Sequence, residues 1–156
     1  MHVTDRAAGD FDRVARFLTE RHARPVARGG ELLDPMEHPA LLAGTGHDLT
    51  GVLTYVPSTV SCEVLTLHVT DQWRGIGTAL LDALMRRAAP GWTQLRVTTT
   101  NDNLDALRFY QRRGFALVEL RVGAVDAARS SLKPAIPPHG CYGLPIRDEL
   151  ELARPL

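Results

Sequence analysis

Apolar positions recur along this chain with two periods, and the switches between them predict its elements. Over residues 11–23, Phe11, Val14, Ala15, Phe17 and Leu18 fall at helical spacing, with Asp10 or Asp12 at the start. Residues 24–39 lose the pattern. Pro25, Gly29, Gly30, Pro35 and Pro39 predict loop with at most one helical turn. Three apolar or β-branched runs follow, at 40–44, 49–56 and 60–70, with turn residues at 46–48 and 57–59. They predict an antiparallel meander, to which Val3 could add an edge strand. The helical period returns at 78–89, with Leu80, Leu81, Leu84, Met85 and Ala88 on one face and Pro90-Gly91 as the stop.

Residues 92–100 then predict a strand. Residues 104–113 predict a helix opened by the Asn/Asp cluster at 101–103 and ended by Gly114. A further strand is expected over 115–122, a short helix over 124–132 and a proline-rich loop over 133–145. The alternation of Ile146, Asp148, Leu150 and Leu152 with charged residues favours a last strand over 146–153. The order predicts an α/β fold: a mixed sheet of about six to seven strands, an antiparallel N-terminal meander plus parallel βα units, and helices on both faces.

The length of 156 residues fits a single domain over 1–156, the tail at 124–156 contributing the short helix, the loop and the last strand. Lys+Arg and Asp+Glu are both 18, so no basic excess points to nucleic acid. Lys133 is the single lysine. Cys62 and Cys141 show no close pairing, which suits a reduced protein. The start of the chain is polar and no apolar run approaches 18 residues, so neither an export segment nor a membrane span is expected. The expected localisation is cytoplasmic, with no membrane partner. The six histidines have no metal-ligand spacing with either cysteine, so no metal is expected.

Candidate chemistry concentrates between the third strand of the meander and the following helix, where Gly75 and Gly77 sit in a short loop. A strand that ends in a glycine loop and opens a helix presents backbone N–H groups and a positive dipole end to an anion, usually a phosphate. A tight turn is the plainer reading of the glycines alone. A P-loop would need Lys after the last glycine, where Thr78 stands. A dinucleotide fingerprint would need a third glycine where Leu80 stands.

The pattern Gln72-x-x-Gly75-x-Gly77, between an apolar strand and Leu80-Leu81, resembles the pyrophosphate loop of the GNAT superfamily of N-acetyltransferases. The segment Asn103-x-x-Ala106-x-x-x-Tyr110-x-x-x-Gly114-Phe115 resembles a second segment of that superfamily, in the right order and spacing. The resemblance covers about residues 10 to 122. The tail resembles a bacterial subgroup. Trp73 departs from the usual small or charged residue and could stack near a nucleotide or simply cover the loop. Gln72 replaces the usual Arg.

The resemblance implies an acyl-CoA-dependent N-acyltransferase that moves the acetyl group of acetyl-CoA directly to a primary amine of a small molecule or peptide, without an acyl-enzyme. The amine must be neutral when it attacks, the developing oxyanion needs donors, and the leaving thiolate needs a proton. The implied base is Glu63, acting directly or through water. A carboxylate in an apolar strand would have a raised pKa. A strand-end charge reaching solvent is the alternative. His68 is another candidate base, placed on the opposite face from Glu63 by strand alternation. The implied acid is Tyr110, for which a core tyrosine is the alternative.

The cofactor-binding set implied by the resemblance is Leu67, Val69, Gln72, Arg74, Gly75, Ile76, Gly77, Thr78, Asn103 and Tyr110, with Asn101 as an alternate. Leu67 and Val69 would pair with pantetheine, and the N–H groups of 74–78 would hold the pyrophosphate. Arg112 or Arg113 could meet the adenosine phosphate. The acceptor site would be lined by 24–37, 55–58 and 129–149. There Arg24, Arg28, Lys133 and Arg147, or Glu31, Glu37 and Glu149, offer both signs of charge. A homodimer is allowed. A non-catalytic acyl-CoA-binding or regulatory domain on the same fold is the competing reading, and a nucleotide-binding α/β protein a third.

Overall fold

Val3–Asp5 (β1), Ala40–Thr45 (β4), Asp48–Pro57 (β5) and Ser61–Val69 (β6) run antiparallel to their neighbours in the order β1-β4-β5-β6, the meander that the apolar runs predict. The structure is a computed structural model that describes all residues, 1–156. It divides into two compact units, Met1–Val26 with Asp34–Trp92, and Ala27–Leu33 with Thr93–Leu156. Seven of its nine strands belong to a mixed sheet, mostly antiparallel with one parallel pair, and four helices accompany them. This is the α/β class expected.

In the first unit, helices lie on both faces of the meander. Phe11–Glu20 (α1) buries Val14, Phe17 and Leu18 against Ala40, Leu42 and Val52. Ile76–Arg86 (α2) buries Ile76, Leu80, Leu81, Ala83 and Leu84. Its approach to β5 runs over Gly51, where a Cβ would come within 2.7 Å of Ile76 Cγ2 and 2.9 Å of Leu80 Cδ1. Gly51 and Val52 are consecutive, so the two helices cover opposite faces of the strand.

Strand β6 does not keep simple alternation. Thr54 pairs with Thr66, but Tyr55 pairs with Val64, so Leu65 is an extra residue in β6. The bulge reverses the parity of everything before it. Glu63 pairs with Val56 and His68 with Val52, both even positions of an uninterrupted β5. Glu63 and His68 therefore share a face, with Thr54 and Thr66 between them. This corrects the opposite-face placement that alternation predicts.

In the second unit the order is β7-β9-β8, from Gln94–Thr100 (β7), Ala116–Arg121 (β8) and Glu149–Pro155 (β9). Both pairings are antiparallel. Strands β7 and β8 flank the helix Leu104–Gln111 (α3) in sequence and run in the same direction, yet the last strand is inserted between them. The fourth helix is Ala124–Ser131 (α4). The stretch expected as loop before residue 39 holds a hairpin, Val26–Arg28 (β2) with Glu31–Leu33 (β3). Its turn is Gly29-Gly30, with φ of 58° and 79°, which a two-residue primed turn requires. A single 3-10 turn, Pro35–Glu37, follows. No helix is long and apolar enough to cross a membrane.

Candidate functional site

Strand β6 ends its pairing at Thr70, whose N–H donates to Thr50 O at 2.9 Å. Beyond it, Asp71, Gln72, Trp73, Arg74 and Gly75 are all exposed. Trp73 and Gly75 adopt left-handed backbone, with φ of 66° and 77°. A Cβ on Gly75 would meet nothing within 4 Å, so the backbone conformation, not crowding, selects glycine there. Trp73 is 68% exposed.

Gly75 is the N-cap of α2. No side chain caps the helix, and its first turn contains no acidic residue. Ala79 N–H is bonded to Gly75 O at 2.9 Å. In general the first N–H groups of an α-helix have no intrahelical acceptor. Buried Ile76 anchors this turn, while Gly77 and Thr78 are half-buried. A positive helix end with neither a capping oxygen nor a carboxylate beside it fits a phosphate group.

Upstream on β6, Leu67 lies opposite Leu53 and Val69 opposite Gly51, and both are half-buried, as is Glu63. Between Glu63 and His68 the buried Thr54 and Thr66 hydroxyls share a 2.7 Å hydrogen bond. Two hydroxyls carry two hydrogens, and one bond uses one, so the pair has a further hydrogen to donate. Burial, and then the charge of Arg21, lower His68 to about 4, which keeps it neutral near neutral pH. Burial, and then the neighbouring Glu63, push the Cys62 thiol up to about 12. Cys62 is thus a protonated core thiol, not a nucleophile.

Asn103 is the N-cap of α3, its side-chain oxygen accepting from Ala106 N–H at 3.2 Å. Its amide hydrogens are not used by that bond. Asn101 is committed at both ends: it donates to Pro145 O at 2.8 Å and accepts from the N–H groups of Arg147 and Asp148 at 2.9 and 3.0 Å. Tyr110 is 5% exposed, edge-on to Phe109 and Phe115 at 5.1 and 5.2 Å between ring centroids. Burial raises its phenol well above the ordinary range, so it stays protonated. Arg113 stacks over Phe109 at 3.8 Å and donates to its carbonyl, whereas Arg112 is exposed.

Most charges considered for the acceptor have partners inside the chain. Arg24 grips Asp34 with two bonds of 3.0 and 2.9 Å, and Arg28 pairs with Glu31. Glu149, 3% exposed, accepts from Arg121 Nε at 3.0 Å and Gly29 N–H at 3.1 Å. Arg121 also reaches Thr98 and Glu119, and Arg96 holds Glu151. Lys133 is half-buried, and burial lowers its pKa; Arg147 and Glu37 are exposed.

Sequence reasoning missed Asp102. It is buried, accepts from Thr100 at 2.5 Å and from Cys141 N–H at 2.9 Å, and a Cβ on Gly140 would strike it at 2.1 Å. Its place in an Asn/Asp run signals a helix start and nothing about a partner 39 residues on. No group of three or more His, Cys, Asp or Glu is arranged to hold a metal ion.

A model of the acetyltransferase (GNAT) family matches residues 12–115. The chain is 40% identical over 149 residues to the uncharacterised protein YxbD of Bacillus subtilis (strain 168), an alignment covering 93% of this chain and 92% of that one. Among solved structures it is similar to a GNAT family acetyltransferase from Elizabethkingia anophelis with acetyl-CoA bound, at TM-score 0.71 and 18% identity, covering 99% and 97% of the two chains. It is also similar to a Bacillus subtilis acetyltransferase in complex with CoA, at TM-score 0.65 and 19% identity, with the same coverage. Those two structures speak to the fold. The family match, which spans two thirds of the chain and includes both the glycine loop and α3, places this protein in the GNAT family of acetyltransferases.

Proposed function

We propose that this protein is a cytoplasmic N-acetyltransferase that moves the acetyl group of acetyl-CoA to a primary amine of a small molecule or peptide. The observation that carries the reading is the turn from β6 into α2: left-handed Gly75, an uncapped helix end and no acid in the first turn. These residues suit the pyrophosphate of acetyl-CoA, which, when bound, supplies the acetyl thioester. The N–H groups of Arg74, Gly75, Ile76, Gly77 and Thr78 donate to the phosphates, and Gln72 adds a neutral donor where an Arg would add charge. The backbone of Leu67 and Val69 pairs with the pantetheine arm. Asn103 offers the amide hydrogens that its capping bond leaves over. Asn101 serves instead as the anchor of the tail.

Glu63 accepts the proton that a primary ammonium must lose before its nitrogen can attack. Its face of the sheet also holds the buried Thr54–Thr66 hydroxyl pair. Tyr110, held protonated by burial, gives its phenolic hydrogen to the leaving sulfur and recovers one from solvent. With Cys62 a buried, protonated thiol, the acetyl group passes directly to the amine.

The reading is tested by acetyl-CoA titration in a calorimeter, followed by CoA release against a panel of amines. Binding together with amine-dependent CoA release is expected. Tight binding without release on any amine would make the chain an acyl-CoA-binding domain. A rise in melting temperature with a nucleotide but not with acetyl-CoA would overturn both.

A further inference from the structure

Arg21 is the C-cap of α1. The chain turns away there: His22 is left-handed, with φ of 55°, and Ala23 N–H closes the helix end on Leu18 O at 2.9 Å. The Arg21 guanidinium stacks 3.6 Å from the centroid of the Phe17 ring, and its Nη1 donates to Phe17 O at 3.0 Å. That bond uses one of the five guanidinium donors. Arg13, Arg24 and Arg87 of the same unit each meet a carboxylate at 3.1 Å or closer. Arg21 reaches one only at 4.0 Å, that of the exposed Glu20.

His68 lies opposite Val52, which packs in one core with Phe17, so His68 shares the α1 face of the sheet. The Arg21 charge acts on its ring. No group of the chain hydrogen-bonds to that ring. A neutral imidazole offers one N–H donor. A half-buried guanidinium with spare donors and a half-buried imidazole without a partner thus lie together on the face that also carries Glu63.

We infer that Arg21 and His68 bind a carboxylate of the acceptor, a primary amine that carries this carboxylate at the far end of a short carbon chain. The inference deepens the acetyl-transfer reading above and rests on it. The carboxylate accepts from the guanidinium and from the imidazole N–H, in bonds strengthened by charge. One guanidinium and one neutral ring supply a single positive charge, which a carboxylate balances and a doubly charged phosphate exceeds. The β5 partners of Glu63 and His68, Val56 and Val52, are four positions apart. The two side chains therefore leave the sheet about 13 Å apart. An α-amino acid holds its amine and carboxylate on one carbon and spans little of that distance. A chain of several carbons brings the amine toward Glu63 while the carboxylate stays at Arg21.

The experiment follows the His68 ring by NMR in the intact chain, with and without saturating CoA, its signals assigned by their absence in His68→Gln. δ-Aminovalerate should shift those signals and raise the titration midpoint by about one pH unit or more, because a nearby anion favours the charged ring. Its carboxamide should do neither. Arg21→Gln should bind δ-aminovalerate about tenfold more weakly, or worse. In turnover with acetyl-CoA, kcat/KM should favour δ-aminovalerate over its carboxamide by about tenfold or more, a ratio that Arg21→Gln brings close to one. The comparison of the two compounds in the intact chain decides the matter even if Arg21→Gln fails to fold. A His68 response to the carboxylate without acetylation of any amine would support the carboxylate site and overturn acetyl transfer. Acetylation of both compounds at equal kcat/KM beside a silent His68 ring would overturn the inference and leave acetyl transfer standing. A preference for aminobutylphosphonate, or for alanine, over δ-aminovalerate would overturn it as well.

Discussion

Tyr110 and His68 show how burial sets what one side chain does. Tyr110 packs edge-on between two phenylalanine rings, and burial keeps its phenol protonated. Tyr110→Phe keeps those ring contacts and removes only the hydroxyl. Turnover should fall by about 10²-fold or more, with acetyl-CoA affinity nearly unchanged. Unchanged turnover beside calorimetric binding would remove Tyr110 from the chemistry. For His68 the consequence is a stability that depends on pH. Its folded value is about 4 against an ordinary 6.5. Between these values the unfolded chain binds a proton that the native chain does not. Stability therefore falls as pH drops through 6.5 and stops falling near 4, by at most about 3 kcal/mol. Urea unfolding of the intact chain and of His68→Gln, from pH 7 to pH 4, should show the difference between them shrinking by that amount. A constant difference would mean that His68 titrates normally.

The turn from β6 into α2 joins two requirements that a single substitution separates. Glu in the first turn of a helix interacts favourably with the dipole, and replacing glycine inside a helix removes a propensity cost. Gly77→Glu should therefore keep the fold or stabilise it, by about 0.5–1 kcal/mol. The same carboxylate would repel phosphates, so acetyl-CoA binding should be lost in calorimetry. Normal binding in the folded variant would move the pyrophosphate elsewhere. Gly51 acts from beneath the same turn, because a side chain there meets Ile76 and Leu80. Gly51→Val should cost about 1–3 kcal/mol in denaturant unfolding by overpacking. It should also weaken acetyl-CoA binding, since it pushes on the first residue of α2; unchanged stability would show that the helix shifts freely. This element was legible in the sequence because its determinants lie within a few residues of one another. So was the Asn103 cap, three residues from its acceptor N–H. The hairpin at 26–33 carried a readable signal in Gly29-Gly30, hidden among prolines that point to loop. The bulge at Leu65 carried none. It depends on how β6 registers against β5, and because of it simple alternation misplaces Glu63 relative to His68.

At the scale of the molecule, the least legible feature is where the last strand goes. Alternation at 146–153 announces a strand but not its neighbours. In the second unit β9 lies between β7 and β8, and seven of its residues register with β7. Its two carboxylates also organise that face: Glu149 takes Arg121 and the hairpin amide of Gly29, and Glu151 takes Arg96. These partners lie 28 to 120 residues away in sequence, beyond any local pattern. A strand at an edge could be removed at modest cost, but a central one cannot. Ending the chain at Asp148 would leave β7 and β8 without their shared partner and Arg121 without its buried carboxylate. It would also remove Leu152, which is fully buried. Loss of a buried ion-pair partner alone costs about 3–5 kcal/mol, a large part of the stability of a whole domain. The truncated chain should therefore lose hydrogen-exchange protection throughout β7 and β8. In the first unit, β4 and β5 should keep theirs, because their pairing and the α1 core are complete without the tail. Protection persisting in β7 would show that its pairing does not depend on β9.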